Sequence, residues 1–322
     1  MTYNVFNEKY RPKTLDEVVG QETVVSLLKQ YVKTRKVPHM MFVGPPGTGK
    51  TSCAYAFARD LYGSRWRDYF YEMNASDERK LKDVREKIKP YAQVKVLDED
   101  FRIIFLDEVD HMSYDAQPAL RRIIENYSDK CRFILSCNYP HKVIEPIKDR
   151  CVMFRFKPVN ISSMITMLRR VSNNEGIDIS DDGLERLCEL SKGSMRRSLS
   201  ILEKLHSANV TNITSEVIEN YFCYIKEDDI VSMIDLLKKG DIQSISKYVD
   251  ELLYDKAYTP IEILTATERL LRESNLQGLD FATTYAKLGD TDFRISVGAT
   301  PDIQLKSFFV YILKLFEGVK NG

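Results

Sequence analysis

The 322-residue sequence lacks an excess of charge of either sign, because Lys plus Arg and Asp plus Glu both total 47. At a formal net charge of zero, the chain as a whole has no attraction for a polyanion such as nucleic acid. Any surface that binds nucleic acid must therefore be a local patch of basic residues.

Closely spaced cysteine pairs and long apolar runs are missing. None of the cysteines forms a Cys-X-X-Cys pair, which argues against a zinc site and against a secreted disulfide framework. They are Cys53, Cys131, Cys137, Cys151, Cys188 and Cys223. We find no signal-peptide pattern, no run of membrane-spanning length, no low-complexity tract and no internal repeat. These absences predict an intracellular protein with reduced thiols and no membrane partner, and the length predicts two or three domains.

What is present begins with a glycine-rich loop, Gly44-Pro45-Pro46-Gly47-Thr48-Gly49-Lys50-Thr51. An apolar run over 40–43 leads into it, and a helical pattern from Ser52 to Leu61 follows. This strand–GxxxxGK[ST]–helix order predicts a phosphate-binding loop. Glycines let the backbone close round an anion, and the N–H groups and helix N-terminus then point at the phosphates. Lys50 should reach the β- and γ-phosphates of a nucleoside triphosphate, and the hydroxyl of Thr51 should ligate Mg²⁺.

Two later strands end in polar residues. The apolar run 103–106 is typical of a central parallel strand and ends at Asp107 and Glu108. About sixty residues after a phosphate loop, one carboxylate can hold Mg²⁺ and the other can polarise the attacking water. The strand predicted over 132–137 ends at Asn138, which can contact the γ-phosphate or orient water.

A basic stripe lies on a helix predicted over 78–89, which Ser76 and Asp77 would cap and Pro90 would close. Its members are spaced by three, three and four residues: Arg79, Lys82, Arg85 and Lys89. Taken alone, such a stripe is typical of a solvated helix face, and acidic neighbours dilute its charge.

The segments form three predicted domains. Residues 1–158 alternate strands and helices, which indicates an α/β domain with a central parallel sheet, and Lys157-Pro158 marks its end. Residues 159–225 and 226–322 are predicted to be a small helical domain and a second helical domain. The apolar set of the last helix is wider than one bundle needs. It is either the core of its own domain or a subunit interface.

The motifs together resemble the small subunits of replication factor C, the sliding-clamp loaders within the AAA+ ATPases, over nearly the whole chain. The motifs with the most specific resemblance are Glu8-Lys9-Tyr10-Arg11-Pro12, the phosphate loop, Asn74-Ala75-Ser76-Asp77-Glu78-Arg79, Leu106-Asp107-Glu108-Val109-Asp110, Ala119-Leu120-Arg121-Arg122 and Gly193-Ser194-Met195-Arg196-Arg197. The stretch Phe293-Arg294-Ile295-Ser296-Val297-Gly298-Ala299 is similar to the family's collar. The resemblance implies an AAA+ P-loop domain, a helical lid and a helical collar.

The resemblance also implies roles for single residues. ATP and Mg²⁺ would be the cofactors, with Asp107 as the metal carboxylate and Glu108 as the catalytic base. Asn138 would be sensor 1, Arg196 would be sensor 2 on the lid, and Arg150 would be an arginine finger acting on the neighbouring subunit's ATP. Lining the adenine pocket would be Tyr10, Arg11, Pro12, Val18 and Val19.

Partners follow from the same resemblance. They are other clamp-loader subunits in an expected pentameric ring, a sliding clamp and primer–template DNA. The family context changes the interpretation of the basic stripe, whose Arg79, Lys82, Arg85 and Lys89 become candidate contacts to DNA phosphates. Asn74 would restrain Glu108 until DNA binds. A eukaryotic source would place the protein in the nucleus, and any other source in the cytoplasm.

The sequence departs from the family pattern at three places. The usual Ser-Arg-Cys is Asp149-Arg150-Cys151, so that an acid beside the finger is positioned to pair with it. The family's usual Gly-Asp-Met-Arg-Arg is Gly193-Ser194-Met195-Arg196-Arg197 here, which keeps the sensor arginine. The Trp that the family usually has before Glu-Lys-Tyr-Arg-Pro is Phe6 here. All hydrolytic residues are present, which predicts an ATPase that is active mainly in its assembled complex.

Two other functions remain open at this level. One is a different AAA+ enzyme acting on DNA without a clamp, such as a helicase or helicase loader. The other is an assembly subunit that binds ATP without hydrolysing it. The motifs at residues 8–12 and 74–79 disfavour the first, and the complete Asp107-Glu108 pair disfavours the second.

Overall fold

The computed structural model describes residues 5–77, 80–95, 98–222, 225, 227–273 and 281–320. Glu78, Arg79 and Cys223, which belong to the motifs and the cysteine set of the sequence, lie outside the described residues. The chain forms two compact units, residues 1–215 and 216–322. The first unit contains the phosphate loop and every predicted nucleotide-binding residue.

The first unit is built on a five-stranded sheet whose pairings are all parallel. Its strands are β1 (Met40–Val43), β2 (Phe70–Asn74), β3 (Arg102–Asp107), β4 (Cys131–Cys137) and β5 (Val152–Arg155). They lie in the order β2-β3-β4-β1-β5. The predicted α/β class with a central parallel sheet is therefore confirmed.

Helices connect and follow these strands. In the first unit they are α1 (Phe6–Lys9), α2 (Glu22–Thr34), α3 (Lys50–Tyr62), α4 (Trp66–Tyr69), α5 (Leu81–Asp83), α6 (Lys89–Gln93), α7 (Ala116–Asn126), α8 (Glu145–Lys148), α9 (Ile161–Glu175), α10 (Asp181–Ser191) and α11 (Met195–Ser207). A short helix α12 (Ser215–Tyr221) starts at the boundary between the two units.

The sheet is buried on both faces. Successive residues of a strand point to opposite sides, so that Met40 and Phe42 of β1 join one apolar cluster while Met41 and Val43 join another. Helices α2 and α3 contribute to the first cluster, and α7 to the second. Burial on both faces explains why the inner strands β1, β3 and β4 are nearly continuous apolar runs and not alternating patterns, whereas the edge strands β2 and β5 keep exposed residues.

The helix predicted over 78–89 differs from the one observed. Within the described residues it starts at Leu81 and continues through Pro90 to Gln93, as α5, a π-helical turn (Val84–Ile88) and α6. The predicted stop at Pro90 is wrong because the π turn widens the helix just before the proline. There the N–H of Lys89 donates to Val84 O, and Pro90 occupies the first turn of α6, where its missing N–H is tolerated.

The second unit is helical, as predicted. Its helices are α13 (Glu227–Lys239), α14 (Ile242–Asp250), α15 (Pro260–Glu273), α16 (Phe281–Ser296) and α17 (Pro301–Lys320). A capping box begins α15, since Thr259 N donates to Glu262 Oε2 at 2.7 Å and Glu262 N donates to Thr259 Oγ1 at 3.3 Å. Along α17, Leu305, Phe308 and Phe309 are fully buried in the core of this unit, whereas Ile303 is 58% exposed.

Among the residues that the structure describes, no helix is both long enough and apolar enough to cross a bilayer.

Candidate active site

The strand order determines which side chains meet at the carboxyl edge of the sheet. Strand β4 lies between β1 and β3, so the phosphate loop after β1, Asp107 at the end of β3 and Asn138 after β4 come together. Ligands of open parallel sheets bind at this edge.

Lys50 is buried at the centre of this edge. Its Nζ donates to Gly44 O at 2.7 Å, to Pro45 O at 2.9 Å and to Asn138 Oδ1 at 2.8 Å. Burial lowers the pKa of the Lys50 ammonium, and the carboxylate of Asp107 opposes that shift. The phosphate-loop lysine and the predicted sensor are thus joined by a direct hydrogen bond.

The hydroxyl of Thr51 and the first acid are also in contact. Thr51 Oγ1 donates to Asp107 Oδ2 at 2.6 Å, which brings together two oxygen atoms of the kind that hard divalent cations prefer. The next residue, Glu108, has a left-handed backbone with φ of 57°, and its N–H donates to Asp107 Oδ1 at 3.0 Å. Its carboxylate lies 3.6 Å from His111 Nδ1.

Asp110 is a buried positioning residue that the sequence marks only as the end of a motif. Its Oδ2 accepts hydrogen bonds from the N–H groups of Asn138 at 3.3 Å and Tyr139 at 3.0 Å. The turn after β4 is thereby held, and Asn138 points toward Lys50. The signal for this role is the position of Asp110 three residues after Asp107, in the turn that follows β3.

A cavity with a volume of about 260 Å³ opens beside this cluster. Most residues predicted to bind nucleotide line it: Tyr10, Arg11, Pro12, Val18, Val19, Pro46, Gly47, Thr48, Gly49, Lys50, Thr51, Ser52, Asp107, Glu108, Asn138 and Arg196. Gly44 and Pro45 instead contribute the carbonyl groups that hold Lys50. Further lining residues that sequence reasoning missed are Asn7, Glu8, Glu17, Val159, Met167, Met195 and Leu199.

Helices α9 and α11 close one side of the cavity. The N–H of Met195 donates to Gly47 O at 3.0 Å, so the start of α11 touches the phosphate loop itself. A Cβ on Gly47 would lie 2.0 Å from Ser194 Oγ, which shows how tightly the two segments fit. Arg196, in the first turn of α11, is exposed and lines the cavity.

The N-terminal segment closes another side. Asn7 Nδ2 donates to Ser200 Oγ on α11 at 2.9 Å, and the hydroxyl of Tyr10 donates to the carboxylate of Glu175 on α9. Burial and the hydrogen bond to Glu175 raise the pKa of Tyr10 to about 12, so this phenol stays a hydrogen-bond donor at physiological pH.

Gln21 is a second buried residue that sequence reasoning missed. Its Nε2 donates to Thr48 O at 3.2 Å and to Lys157 O at 2.7 Å, and its Oε1 accepts from Lys157 N at 3.3 Å. One amide therefore links the phosphate loop to the segment that leads from β5 into α9. No periodicity or motif in the sequence marks this role, because it depends on a contact between positions far apart in the chain.

The arrangement fits a nucleoside triphosphate. Gly47 and Gly49 have φ of 76° and 98°, conformations that turn backbone N–H groups toward the loop's interior and favour glycine. The buried ammonium of Lys50 donates to two backbone carbonyl groups. Phosphate oxygens of a bound nucleotide would take the place of some of these acceptors. The hydroxyl–carboxylate pair Thr51–Asp107 is the donor set that a magnesium nucleotide needs.

Several predicted residues do not line this cavity. Arg150 lies between α8 and β5, and its guanidinium contacts the carboxylate of Glu125 on α7 and, at 2.6 Å, Pro146 O. Asn74 is paired in register with Asp107, but its Oδ1 accepts from Ser76 N at 2.9 Å. In the described part of the chain, no hydrogen bond joins Asn74 to Glu108. Three of the predicted DNA contacts are exposed: Lys82, Arg85 and Lys89.

Comparison with known proteins first defines the class. Residues 40–159 match the ATPase family associated with various cellular activities (AAA). The fold is similar to that of the RuvB Holliday junction branch migration motor of Thermotoga maritima, with a TM-score of 0.56 and 18% identity over 81% of this chain and 85% of that chain. The chain is thus an AAA ATPase with a nucleotide-binding P-loop domain.

The relatives then define the family. Residues 225–310 match the replication factor C C-terminal domain. The chain is 41% identical to the replication factor C small subunit of Archaeoglobus fulgidus, over 97% of this chain and 98% of the relative. It is 40% identical to the small subunit of Thermofilum pendens, over the whole length of both. The chain belongs to the replication factor C small-subunit family.

Proposed function

We propose that this chain is the ATP-hydrolysing small subunit of a clamp loader. ATP binding would assemble subunits around a sliding clamp and open it, primer–template DNA would trigger hydrolysis, and hydrolysis would release the closed clamp. The observation that carries the proposal is the joined Lys50–Asn138 and Thr51–Asp107 contacts, which lie beside Glu108 in one cavity of a replication factor C family chain.

The residues at the sheet edge have separate chemical tasks. Lys50 and the loop N–H groups bind the β- and γ-phosphates, and Asn138 orients the attacking water or the γ-phosphate. Thr51 and Asp107 would hold Mg²⁺, and the bound ion would neutralise charge on the phosphates. Glu108 accepts the proton of the attacking water, and its left-handed backbone places it at the start of the turn after β3.

The lid that we propose for residues 159–225 responds to the nucleotide. Arg196 would reach the γ-phosphate from the first turn of α11, where it lines the cavity, and the Met195–Gly47 hydrogen bond ties that helix to the phosphate loop. Closure of α11 on ATP would then change the shape that this chain offers to a neighbour. Residues 226–322 would form the collar through which subunits assemble into a pentameric ring.

We infer that Arg150 acts on the nucleotide of a neighbouring subunit. It does not line the cavity of its own chain, and its side chain is 35% exposed on a loop between α8 and β5.

Asn74 lies on β2, paired in register with Asp107 on β3. When the complex has no DNA bound, Asn74 would give up its hydrogen bond with Ser76 and form one with Glu108 instead. Lys82, Arg85 and Lys89 would contact DNA phosphates, with Arg79 beside them in sequence. Replication of DNA implies an intracellular location.

Replacing Arg150 with Ala tests this function. In the complex reconstituted with its partner subunits, we expect the variant to lose stimulation of ATP hydrolysis by clamp and primed DNA. Arginine fingers of related NTPases contribute about 10³–10⁵ in rate, so a large loss is expected. Binding of a fluorescent ATP analogue to the isolated variant should be unchanged, because Arg150 lies outside its own cavity.

The matched control is Arg65→Ala, since Arg65 is also an exposed arginine in an ion pair, with Asp98 at 3.3 Å. It should leave stimulated hydrolysis unchanged. Loss of ATP binding in Arg150→Ala, or full stimulation by clamp and DNA, would contradict a role in trans.

A further inference from the structure

The guanidinium of Arg150 is held in place by its own chain. Its Nη2 forms an ion pair with Glu125 Oε1, and its Nη1 donates to Pro146 O at 2.6 Å. Glu125 lies in the last turn of α7, and Pro146 lies in α8. Two separate helices therefore determine where this side chain points.

The acid beside Arg150 in sequence is not its partner. Asp149 follows the last residue of α8, and its N–H donates to Glu145 O at 2.9 Å. Of the carboxylates in the described residues, the one that pairs with Arg150 belongs to Glu125. Although Asp149 replaces the usual Ser beside Arg150, the acid that pairs with the guanidinium is therefore Glu125 of α7.

The contact with Glu125 does not cancel the charge of Arg150. The other carboxylate oxygen of Glu125 faces Arg121 Nη2 at 3.8 Å, one helical turn away. One carboxylate is thus shared by two guanidinium groups, and the cluster keeps one net positive charge. A guanidinium has five N–H donors. Two of them are used by Glu125 and Pro146, and the others remain available to a phosphate group of another molecule.

We propose that Glu125 is a positioning residue for Arg150, an inference that rests on the proposed action of Arg150 on a neighbour's nucleotide. An arginine side chain that is free to rotate loses that freedom when it contacts the transition state, and this loss costs free energy. A side chain already held in position by other residues does not have this cost during the reaction. Both side chains are about one-third exposed, 35% for Arg150 and 32% for Glu125. An ion pair at that exposure adds little to folding stability, so its effect should be seen in the reaction rate.

Glu125→Ala in the reconstituted complex tests the proposal. We expect kcat for hydrolysis stimulated by clamp and primed DNA to fall about tenfold, because the guanidinium is no longer aligned. The KM for ATP and the melting temperature of the chain should stay unchanged. Glu145→Ala is the matched control, because Glu145 pairs with Lys148 at 2.7 Å on the neighbouring helix and does not contact the Arg150 side chain. It should leave kcat unchanged.

A double-mutant cycle separates positioning from a general structural role. In the Arg150→Ala background, Glu125→Ala should cause no further loss of kcat, since the group that it positions is gone. Losses that multiply, or a full rate in Glu125→Ala, would overturn the inference while leaving the role of Arg150 intact. A full rate in Arg150→Ala would overturn both proposals.

Discussion

At the scale of single residues, His39 is a partly buried base that folding keeps neutral. It precedes β1, and its Nδ1 accepts a hydrogen bond from Phe133 N at 3.1 Å, a role that a protonated Nδ1 cannot fill. Burial lowers the pKa of His39 to about 4, and the nearby charge of Arg132 adds to this shift. The ring links β1 and β4 at the edge of the sheet opposite the nucleotide cavity.

This pKa shift predicts that stability falls on mild acidification. Above the ordinary pKa of 6.5 both the folded and the unfolded state hold a neutral His39, so the full stability is present. Between 6.5 and about 4 only the unfolded state takes up the proton, which lowers the free energy of unfolding by at most about 3 kcal/mol. Urea unfolding at several pH values, followed by the fluorescence of the single tryptophan, Trp66, measures this loss.

His39→Asn should reduce the dependence on pH, because the amide oxygen can accept from Phe133 N and does not titrate. His141→Asn is the control, since His141 is exposed. The role of His39 is contradicted if His39→Asn and the unaltered chain lose the same stability between these pH values.

Residues in one continuous motif were predictable, and residues that act across the fold were not. Lys50 and Asp107 follow from spacing and from the strands that precede them. Gln21 and Glu125 do not, because each gains its role from a partner brought near by the sheet and its helices. Sequence adjacency pointed to Asp149 as the acid that pairs with the finger, yet α7 places Glu125 there.

At the scale of elements, the phosphate loop and the start of helix α11 are in direct contact. Gly47 and Gly49 both have positive φ, 76° and 98°, so alanine is strained at either position. They differ in their protein surroundings, because a Cβ at Gly47 would lie 2.0 Å from Ser194 Oγ whereas one at Gly49 would meet no protein atom within 4 Å. The pair therefore separates backbone strain from the fit between loop and helix.

Gly47→Ala should weaken nucleotide binding about tenfold more than Gly49→Ala, because it also pushes α11 away from the loop. Titration with a fluorescent ATP analogue gives both affinities. Adding Ser194→Gly to Gly47→Ala removes the clashing hydroxyl and should restore part of the affinity. Equal losses in the two alanine variants would mean that contact with Ser194 is unimportant for binding.

Element boundaries were predictable where a single local rule decides them. The three strands whose ranges the sequence predicts, β1, β3 and β4, lie within one residue of prediction at both ends, because buried parallel strands are continuous apolar runs. The predicted end of the basic-stripe helix at Pro90 was wrong, because the rule that proline ends a helix assumes α-helical geometry. The π turn over Val84–Ile88 changes that geometry.

At the scale of the whole molecule, the family and the class of activity were predictable, while the division of the chain into three domains stays a prediction. The described structure forms units of residues 1–215 and 216–322, and the sequence suggested a further boundary at Lys157-Pro158. Contacts such as Gly47–Met195 and Gln21–Lys157 explain why the first 215 residues form one compact unit in this structure. Composition alone cannot reveal such contacts.

Charge is balanced over the whole chain, so binding to DNA must depend on where the basic residues lie. Lys82, Arg85 and Lys89 are exposed on one helix, and the ion pair nearest to them, Lys82 with Glu86, is long at 3.9 Å. Replacing all three with Gln should weaken binding of primer–template DNA by the complex held with a non-hydrolysable ATP analogue. The slope of log K against log salt should become shallower by up to about 0.9 for each DNA phosphate that the variant no longer neutralises. Fluorescence anisotropy at several salt concentrations measures both effects.

A matched triple variant distinguishes local binding of DNA phosphates by this helix from a general effect of the chain's net charge. Lys33, Lys36 and Lys204 are exposed lysines elsewhere in the first unit, and replacing them with Gln removes the same charge. If the helix binds phosphates, this control keeps the original slope, because distant exposed charges are screened within about 10 Å at moderate salt. Equal changes of slope in both variants would mean that only net charge matters, and the DNA-binding residues would then have to be sought on another surface.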